Sequence, residues 1–323
     1  MLAGLRRLSG GTNVKVLLTR FGSAVVKPFA LFFFAYVGFL EIFVRRYLGR
    51  CLCFVVYGLL ILVVTSEFFV VLPYEHHTRN SILIPLYVLA AFYIIPNILF
   101  HYYKSCTVDP GFPEKRNVGP WCSQCKNYKP QRTHHCSVCA RCVLHMDHHC
   151  VWINQCVGLY NHRHFFQFVV FVWLGMVLIL YSNYNCFWEH LNYLDNPEIM
   201  PFCVEDIELA PWKGWVCSNM GKIVSGCLFF NYGLAILLFF VLGGFTLWIA
   251  YLVSIGETLV ELLHHTNTLP CISRTRSPYD LGFVANWKRF LGINRNHTFI
   301  RHILLPSSHF EPFSRNESLE HLI

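Results

Sequence analysis

Residues 122–156 read CSQCKNYKPQRTHHCSVCARCVLHMDHHCVWINQC and hold seven of the chain's fifteen cysteines. The stretch aligns with itself at an offset of fourteen. Cys122, Cys125, His135 and Cys142 fall on Cys136, Cys139, His149 and Cys156, and both sets read C-x2-C-x9-H-x6-C. A C-x2-C knuckle presents two thiolates to one ion, and a more distant His–Cys pair completes the tetrahedron. The repetition predicts two zinc sites. Four protein ligands leave no open position, so both ions are expected to be structural. A short polar segment has little core of its own, and metal binding would supply much of its folding energy. Another partition, with Cys122, Cys125, Cys136 and Cys139 sharing one ion, stays open but ignores the repeat.

Six cysteines and two histidines fill two sites. Cys150 is left over, with Asp147, His148, His134 and His145. Its counterpart fourteen residues earlier, Cys136, is itself a ligand. An unligated cysteine beside a histidine and an aspartate has the makings of a nucleophile. The thiolate is the reactive form, and a nearby imidazole can generate or stabilise it. A carboxylate can fix that imidazole's tautomer. His149 and Cys156 would anchor the backbone on either side of Cys150. Asp147, His148 and Cys150 cannot share one helix face, so an irregular loop is expected. The competing readings are a buried inert thiol and an alternative zinc ligand.

Outward from this segment the chain changes character. It is 54% hydrophobic and only 14% charged, with a mean hydropathy of +0.42. Soluble domains carry about 25% charged residues, so this balance points to a membrane protein. A bilayer core needs about 20 apolar residues of helix. Four runs qualify, near 52–73, 82–100, 165–187 and 228–254, the last with a Gly243–Gly244 pair that could permit close helix packing. The shorter run 29–44 contains Glu41 and reads as an interfacial or re-entrant helix, with a fifth span as the alternative. Glu67, near the far end of the first run, reads as an interfacial carboxylate.

Lys and Arg number eight in residues 1–50, eight in 101–164 and seven in 255–323. The loop 74–81 has only Arg79, and the acidic loop 188–227 only Lys213 and Lys222. The positive-inside rule puts both termini and the cysteine-rich segment in the cytosol. Loop 188–227 then faces the lumen or exterior, where Cys203 and Cys217 could form a disulfide or stay free. The expected fold is an α-helical polytopic membrane protein: four transmembrane helices with a small cytosolic zinc-binding cysteine-rich domain between the second and third. The parts are a cytosolic or interfacial segment over 1–50, two spans within 51–100, the zinc domain over 101–164, two spans within 165–254, and a cytosolic C-terminal domain over 255–323.

The net charge of +8 suits cytosolic loops beside anionic lipid. Nucleic acid is not an expected partner, because the segment lacks a finger-type spacing such as C-x2-C-x12-H-x3-H. Cys150 precedes the third span by about fifteen residues. A thiol at the membrane surface suits a substrate that is half lipid and half water-soluble, such as a fatty acyl-CoA.

DHHC at 147–150, DPG at 109–111 after the second span, GETLVE at 256–261 after the fourth, and NWKRFLG at 286–292 together resemble the DHHC protein S-acyltransferases, or palmitoyltransferases. The resemblance covers about residues 50–310. It implies ping-pong thioester exchange, with Cys150 taking a long-chain acyl group from acyl-CoA and passing it to cysteines of client proteins, cytosolic or juxtamembrane. His148 would be the base and Asp147 its orienting group. The acyl chain would lie among the four helices. Trp152, Thr258 and Asn286 are expected at the acyl-CoA, and membrane lipid is a further partner. The family suggests an endoplasmic reticulum or Golgi membrane. The alternative function is a non-catalytic, membrane-anchored zinc adaptor. Two positions depart from the family pattern. Val151 replaces the usual proline, and Leu259 replaces the second threonine of Thr-Thr-x-Glu, removing a hydroxyl expected to meet the catalytic region. Glu261 of that motif reads equally as an exposed carboxylate after a helix.

Overall fold

The computed structural model describes residues 47–72, 75, 83–192, 221–268, 277–294 and 296–308. The run 29–44 and Cys203 and Cys217 lie outside the described residues. The chain divides into two compact units, Met1–Leu52 and Cys53–Ile323. Apart from the opening turn of the first helix, all that follows concerns the second.

Among the described residues, four helices are long and apolar enough to cross a membrane: Gly49–Val71, Leu83–Thr107, His162–Ser182 and Gly226–Ser254. The first consists of α1 (Gly49–Ser66) and one wider turn, Glu67–Val71. The next two are α2 (Leu83–Thr107) and α3 (His162–Ser182), followed by the short α4 (Tyr184–Asn192). The fourth lies within α5 (Gly221–Ser254). Two short helices, α6 (Leu259–Thr268) and α7 (Phe283–Leu291), follow.

Two helices overrun their hydropathy windows. Helix α2 continues past residue 100 to Thr107, burying His101, Tyr102 and Ser105. Helix α3 begins at His162 rather than at 165, with His162, Arg163 and His164 buried. These turns are too polar for a hydropathy window to include. One contact across the fold joins them, His101 Nδ1 and His164 Nδ1 lying 3.1 Å apart, and within α3 Arg163 Nη2 lies 3.1 Å from His164 Nε2.

The zinc domain consists of three two-stranded antiparallel hairpins: β1–β2 (Trp121–Cys122, Asn127–Tyr128), β3–β4 (Thr133–Cys136, Arg141–Leu144) and β5–β6 (His148–Cys150, Gln155–Val157). The irregular loop expected around Cys150 is instead a strand. Its cause is a rung of the ladder: His149 pairs directly with Cys156, as His135 does with Cys142. Each predicted His–Cys ligand pair is thus a cross-strand pair with side chains on one face.

The period of fourteen runs through all three hairpins. The closing pairs are Cys122↔Asn127, Cys136↔Arg141 and Cys150↔Gln155. The turns place Lys126, Ala140 and Asn154 at φ of 51°, 55° and 54°. This left-handed conformation is uncommon outside glycine, and its recurrence at one register marks a single turn geometry used three times.

One apolar cluster joins this domain to the membrane helices. It contains Tyr102 of α2, Cys150, Ile153 and Val157 of the third hairpin, Phe165, Phe166 and Val169 of α3, and Ile249 and Val253 of α5. Burying such side chains contributes about 1.5–3 kcal/mol each. Asn161, wholly buried, clamps the joint: its Nδ2 donates to the carbonyls of Cys156 and Ser105, and its Oδ1 accepts the Gly158 N–H. Farther along the membrane helices, Glu67 accepts a 2.6 Å bond from Asn183. It borders an apolar cavity of about 320 Å³ lined by residues of α1, α2 and α3 and of the wider turn after α1.

Of the Gly243–Gly244 pair, only Gly243 serves close packing: a Cβ there would come within 2.6 Å of Trp173 Nε1, whereas one at Gly244 meets nothing within 4 Å. Gly158, just after the third hairpin, is closely packed: a Cβ there would lie 2.7 Å from the Pro110 carbonyl oxygen and 2.9 Å from that of Leu144. Gly158→Ala is therefore expected to lower the stability of the detergent-solubilised protein by about 1–3 kcal/mol, seen as a lower denaturation midpoint. Gly244→Ala should leave the midpoint unchanged.

Candidate metal and thiol centre

The ligand atoms of Cys122, Cys125, His135 and Cys142 all lie within 4.8 Å of one another, as do those of Cys136, Cys139, His149 and Cys156. The four knuckle cysteines are therefore divided between two clusters, each knuckle with its own His–Cys rung. In the first, His135 Nδ1 is 3.7, 3.2 and 3.9 Å from the sulfurs of Cys122, Cys125 and Cys142. In the second, His149 Nδ1 is 3.7, 3.4 and 3.6 Å from those of Cys136, Cys139 and Cys156. With zinc–sulfur bonds near 2.3 Å and zinc–nitrogen bonds near 2.0–2.1 Å, a tetrahedron has edges of about 3.5–3.8 Å. The donor sets fit two zinc ions bound through Nδ1 and three sulfurs each, as closed structural sites.

The hairpins interlock these sites. The turn of β1–β2 supplies Cys122 and Cys125 to the first cluster, and β3–β4 supplies its His135–Cys142 rung. The turn of β3–β4 supplies Cys136 and Cys139 to the second, and β5–β6 supplies the His149–Cys156 rung. The middle hairpin serves both, which is why the two motifs overlap in sequence.

Cys150 belongs to neither cluster. It is buried in the apolar core at the joint with α3 and α5. The ring of His148 stands edge-on to Phe165 at 5.2 Å and to Phe245 at 6.1 Å. Its Nδ1 is 2.8 Å from Asp147 Oδ2. Burial by itself would lower the affinity of His148 for a proton. The hydrogen bonds with Asp147 and with the Cys150 thiol and the charges of both outweigh it, pushing the imidazole up to about 9. Burial would likewise raise Asp147, but His162, His148 and the Leu259 N–H hold its carboxyl down at about 2. The pair is thus an ion pair, with Nδ1 committed to the carboxylate.

The second oxygen of Asp147 answers the question posed by Leu259. Asp147 Oδ1 accepts the Leu259 backbone N–H at 2.8 Å. The contact is made by main chain, and the missing threonine hydroxyl is not needed for it. Leu259 is the first residue of α6, and the helix N-terminus carries partial positive charge toward the carboxylate.

A capping box sets up that helix end. The Thr258 hydroxyl accepts the Glu261 N–H at 3.4 Å, and Glu261 Oε2 accepts the Thr258 N–H at 2.8 Å. Glu261 is not the exposed carboxylate of the bland reading. It is 6% exposed and takes a two-pronged ion pair from Arg132, with Nε to Oε1 at 2.7 Å and Nη2 to Oε2 at 2.8 Å. Arg132 also donates to the Gly256 carbonyl at 2.9 Å and lies over the Tyr279 ring. This pair ties the zinc domain to the segment after the fourth span. Nothing in the sequence marked Arg132 apart from its position between the knuckles.

The three residues expected at the acyl-CoA fare differently. Trp152 is half-exposed. The Thr258 hydroxyl is used in the cap. Asn286 is buried, donating to Ser254 O and Asp280 Oδ1 and accepting the Leu281 N–H. Thr258 and Asn286 line, with Arg132, His145 and Arg289, a cavity of about 90 Å³, and reach it as parts of its wall.

The family model described as DHHC palmitoyltransferase matches residues 115–266. The chain is 35% identical over 278 residues to Palmitoyltransferase ZDHHC16 of Bos taurus, covering 80% of this chain and 73% of that protein. It is 29% identical over 302 residues to Palmitoyltransferase ZDHHC16A of Danio rerio, covering 82% and 77%. It is 36% identical over 228 residues to Palmitoyltransferase ZDHHC16 of Homo sapiens, covering 66% and 59%.

Zinc content tests the division of cysteines. Purified protein should carry about two zinc ions, and so should Cys150→Ser. Cys156→Ser should lose at least the ion of its own site. A drop on Cys150→Ser to about one ion would make Cys150 a ligand.

Proposed function

The chain belongs to the DHHC palmitoyltransferase family and is a protein S-acyltransferase that draws on fatty acyl-CoA, and from that premise we propose that the acyl group passes through Cys150 in two thioester exchanges. In the first, the Cys150 thiolate attacks the acyl-CoA carbonyl carbon. The bond to the CoA sulfur breaks, and the CoA thiolate takes the proton held by His148. In the second, a client cysteine gives its proton to His148 and attacks the Cys150 thioester, and Cys150 leaves as a thiolate. Each step trades one thioester for another, so the barrier is one of positioning and proton placement.

The observation that carries this reading is the Asp147–His148 ion pair set against a thiol that belongs to neither metal cluster. With Nδ1 held by Asp147, the other ring nitrogen is left for Cys150 and the reacting sulfur. Asp147 orients and charges the ring without taking the proton itself. Zinc at the two four-ligand sites supplies structure only, holding His149 and Cys156 on either side of the nucleophile.

An acyl chain suits the apolar surroundings of Cys150 and the cavity among α1, α2 and α3, since each buried methylene contributes about 0.8 kcal/mol. Trp152 would border the thioester at the membrane surface. Thr258 and Asn286 would act on acyl-CoA by shaping the small basic cavity rather than through their own polar groups. Both termini and the zinc domain would face the cytosol, where acyl-CoA and client thiols meet an endoplasmic reticulum or Golgi membrane. The division into an N-terminal segment, two pairs of spans, zinc domain and C-terminal domain follows from that orientation.

Two measurements test the chemistry. Incubated with a labelled fatty acyl-CoA, the wild-type protein should gain hydroxylamine-sensitive label and Cys150→Ser should gain none. Retained label on the serine variant sinks the acyl-carrier reading. Leu259→Pro removes the one N–H that Asp147 receives from α6 at a helix position that tolerates proline. It should slow acyl-enzyme formation about ten-fold, the worth of one hydrogen bond to a charged group. Leu259→Thr and Leu259→Ala keep the N–H and should stay within about two-fold of wild type.

A further inference from the structure

We propose that the hairpin carrying Cys150 is a zinc knuckle without its metal, in which helix α2 does the holding that an ion does in the other two, and that Ile153 and Tyr102 are therefore positioning residues for Cys150. The third hairpin repeats the other two in register and turn. Cys150 pairs with Gln155 as Cys122 does with Asn127 and Cys136 with Arg141. Asn154 takes the left-handed conformation of Lys126 and Ala140. Cys150 thus occupies the place of the first knuckle thiolate.

Ile153 occupies the place of the second and offers no ligand atom. The positions fourteen beyond His149 and Cys156 are Arg163 and Val170, inside α3, so no rung closes a third site. What Ile153 does instead is pack: it is 1% exposed, in the same cluster as Cys150, Tyr102, Phe165 and Ile249.

The turn is tied down by α2. The Tyr102 hydroxyl donates to the Trp152 carbonyl at 2.9 Å, and Tyr102 itself is wholly buried. Gln155 Nε2 donates to the carbonyls of Ser105 and Val108, the latter at 3.1 Å. The Cys53 thiol, on α1, meets the same Trp152 carbonyl at 3.5 Å. A knuckle aims a sulfur by its backbone, as the Cys139 N–H aims at Cys136 Sγ at 3.3 Å. A knuckle with one thiolate leaves that sulfur unspent. Its geometry then has to come from packing and hydrogen bonds, and here both come from the membrane helices. The thiol is thereby fixed to the bilayer side of the domain rather than to an ion.

This inference rests on Cys150 as the acyl carrier, but its first test does not. Ile153→Cys restores C-x2-C. In full-length, detergent-solubilised protein kept reduced, added zinc should raise the metal content from about two ions to about three, the two thiolates gripping the ion and solvent filling the positions that no His–Cys rung supplies. Acyl-enzyme formation should fall at least about ten-fold as the thiolate is captured, and return when a mild chelator removes the added ion. A metal content that stays at two with acyl-enzyme formation undiminished at saturating zinc overturns the knuckle. The metal count is read without acyl chemistry, so its failure is distinct from a failure of the Cys150→Ser experiment.

Tyr102→Phe tests the holding role with little change of shape. The rate of acyl-enzyme formation at saturating acyl-CoA should fall about five-fold, for one lost hydrogen bond. KM for acyl-CoA and a zinc content of two should be unchanged. An effect confined to KM, or no effect, overturns Tyr102 as a positioning residue.

Discussion

Two tetrahedra of thiolate and imidazole hold the segment between the second and third spans in one shape. Strands of two to four residues are too short to persist by their ladders alone. Each rung gains its strength because the two side chains that face each other, His135 with Cys142 and His149 with Cys156, are also two ligands of one ion. The middle hairpin is shared, so the two sites cannot form independently. Shifting either strand by one residue would turn a ligand to the opposite face.

That rigid piece would still float on the membrane without its second attachment. The cluster around Tyr102, Ile153, Phe165 and Ile249 and the clamp at Asn161 seat it on α2, α3 and α5. The third attachment is electrostatic. Arg132 reaches from between the knuckles to Glu261, and Glu261 caps α6. The N–H at the start of that helix then meets Asp147. Removing one partner from a buried pair of this kind leaves an uncompensated charge, which costs about 3–5 kcal/mol. The chain from Arg132 through Glu261 and Leu259 to Asp147 explains how a motif after the fourth span bears on an imidazole more than a hundred residues earlier. It does so through main chain, so a leucine at 259 serves where a threonine is usual.

Cys150 lies where these attachments meet. Cys150 has the metal scaffold on one side and the membrane core on the other, and the imidazole beside it is walled by Phe165 and Phe245. The thiol thus faces the apolar side of the joint, and the Asp147–His148 pair stands on the side of the hairpins.

Much of this was legible in the residues. Hydropathy located four spans, because lipid demands long unbroken apolar helix. The fourteen-residue repeat divided the cysteines, because a tetrahedral ion demands four donors at workable spacing. Counting donors then left Cys150 over. Sequence could not show the polar ends of α2 and α3, since His101, Ser105 and His164 look like loop until their partners across the fold are known. Nor could it show that the stretch around Cys150 is a strand, or that Ile153 stands where a ligand would. Those facts depend on cross-strand register and on what α2 places beneath the turn. The sequence by itself determined the donor atoms, the spans and the surplus thiol, because these follow from composition and local spacing. Only the tertiary structure decided what holds Cys150, Asp147 and His148 in place, because Tyr102, Gln155, Arg132 and the Leu259 N–H are distant in sequence from the groups they fix and meet them only once the helices pack.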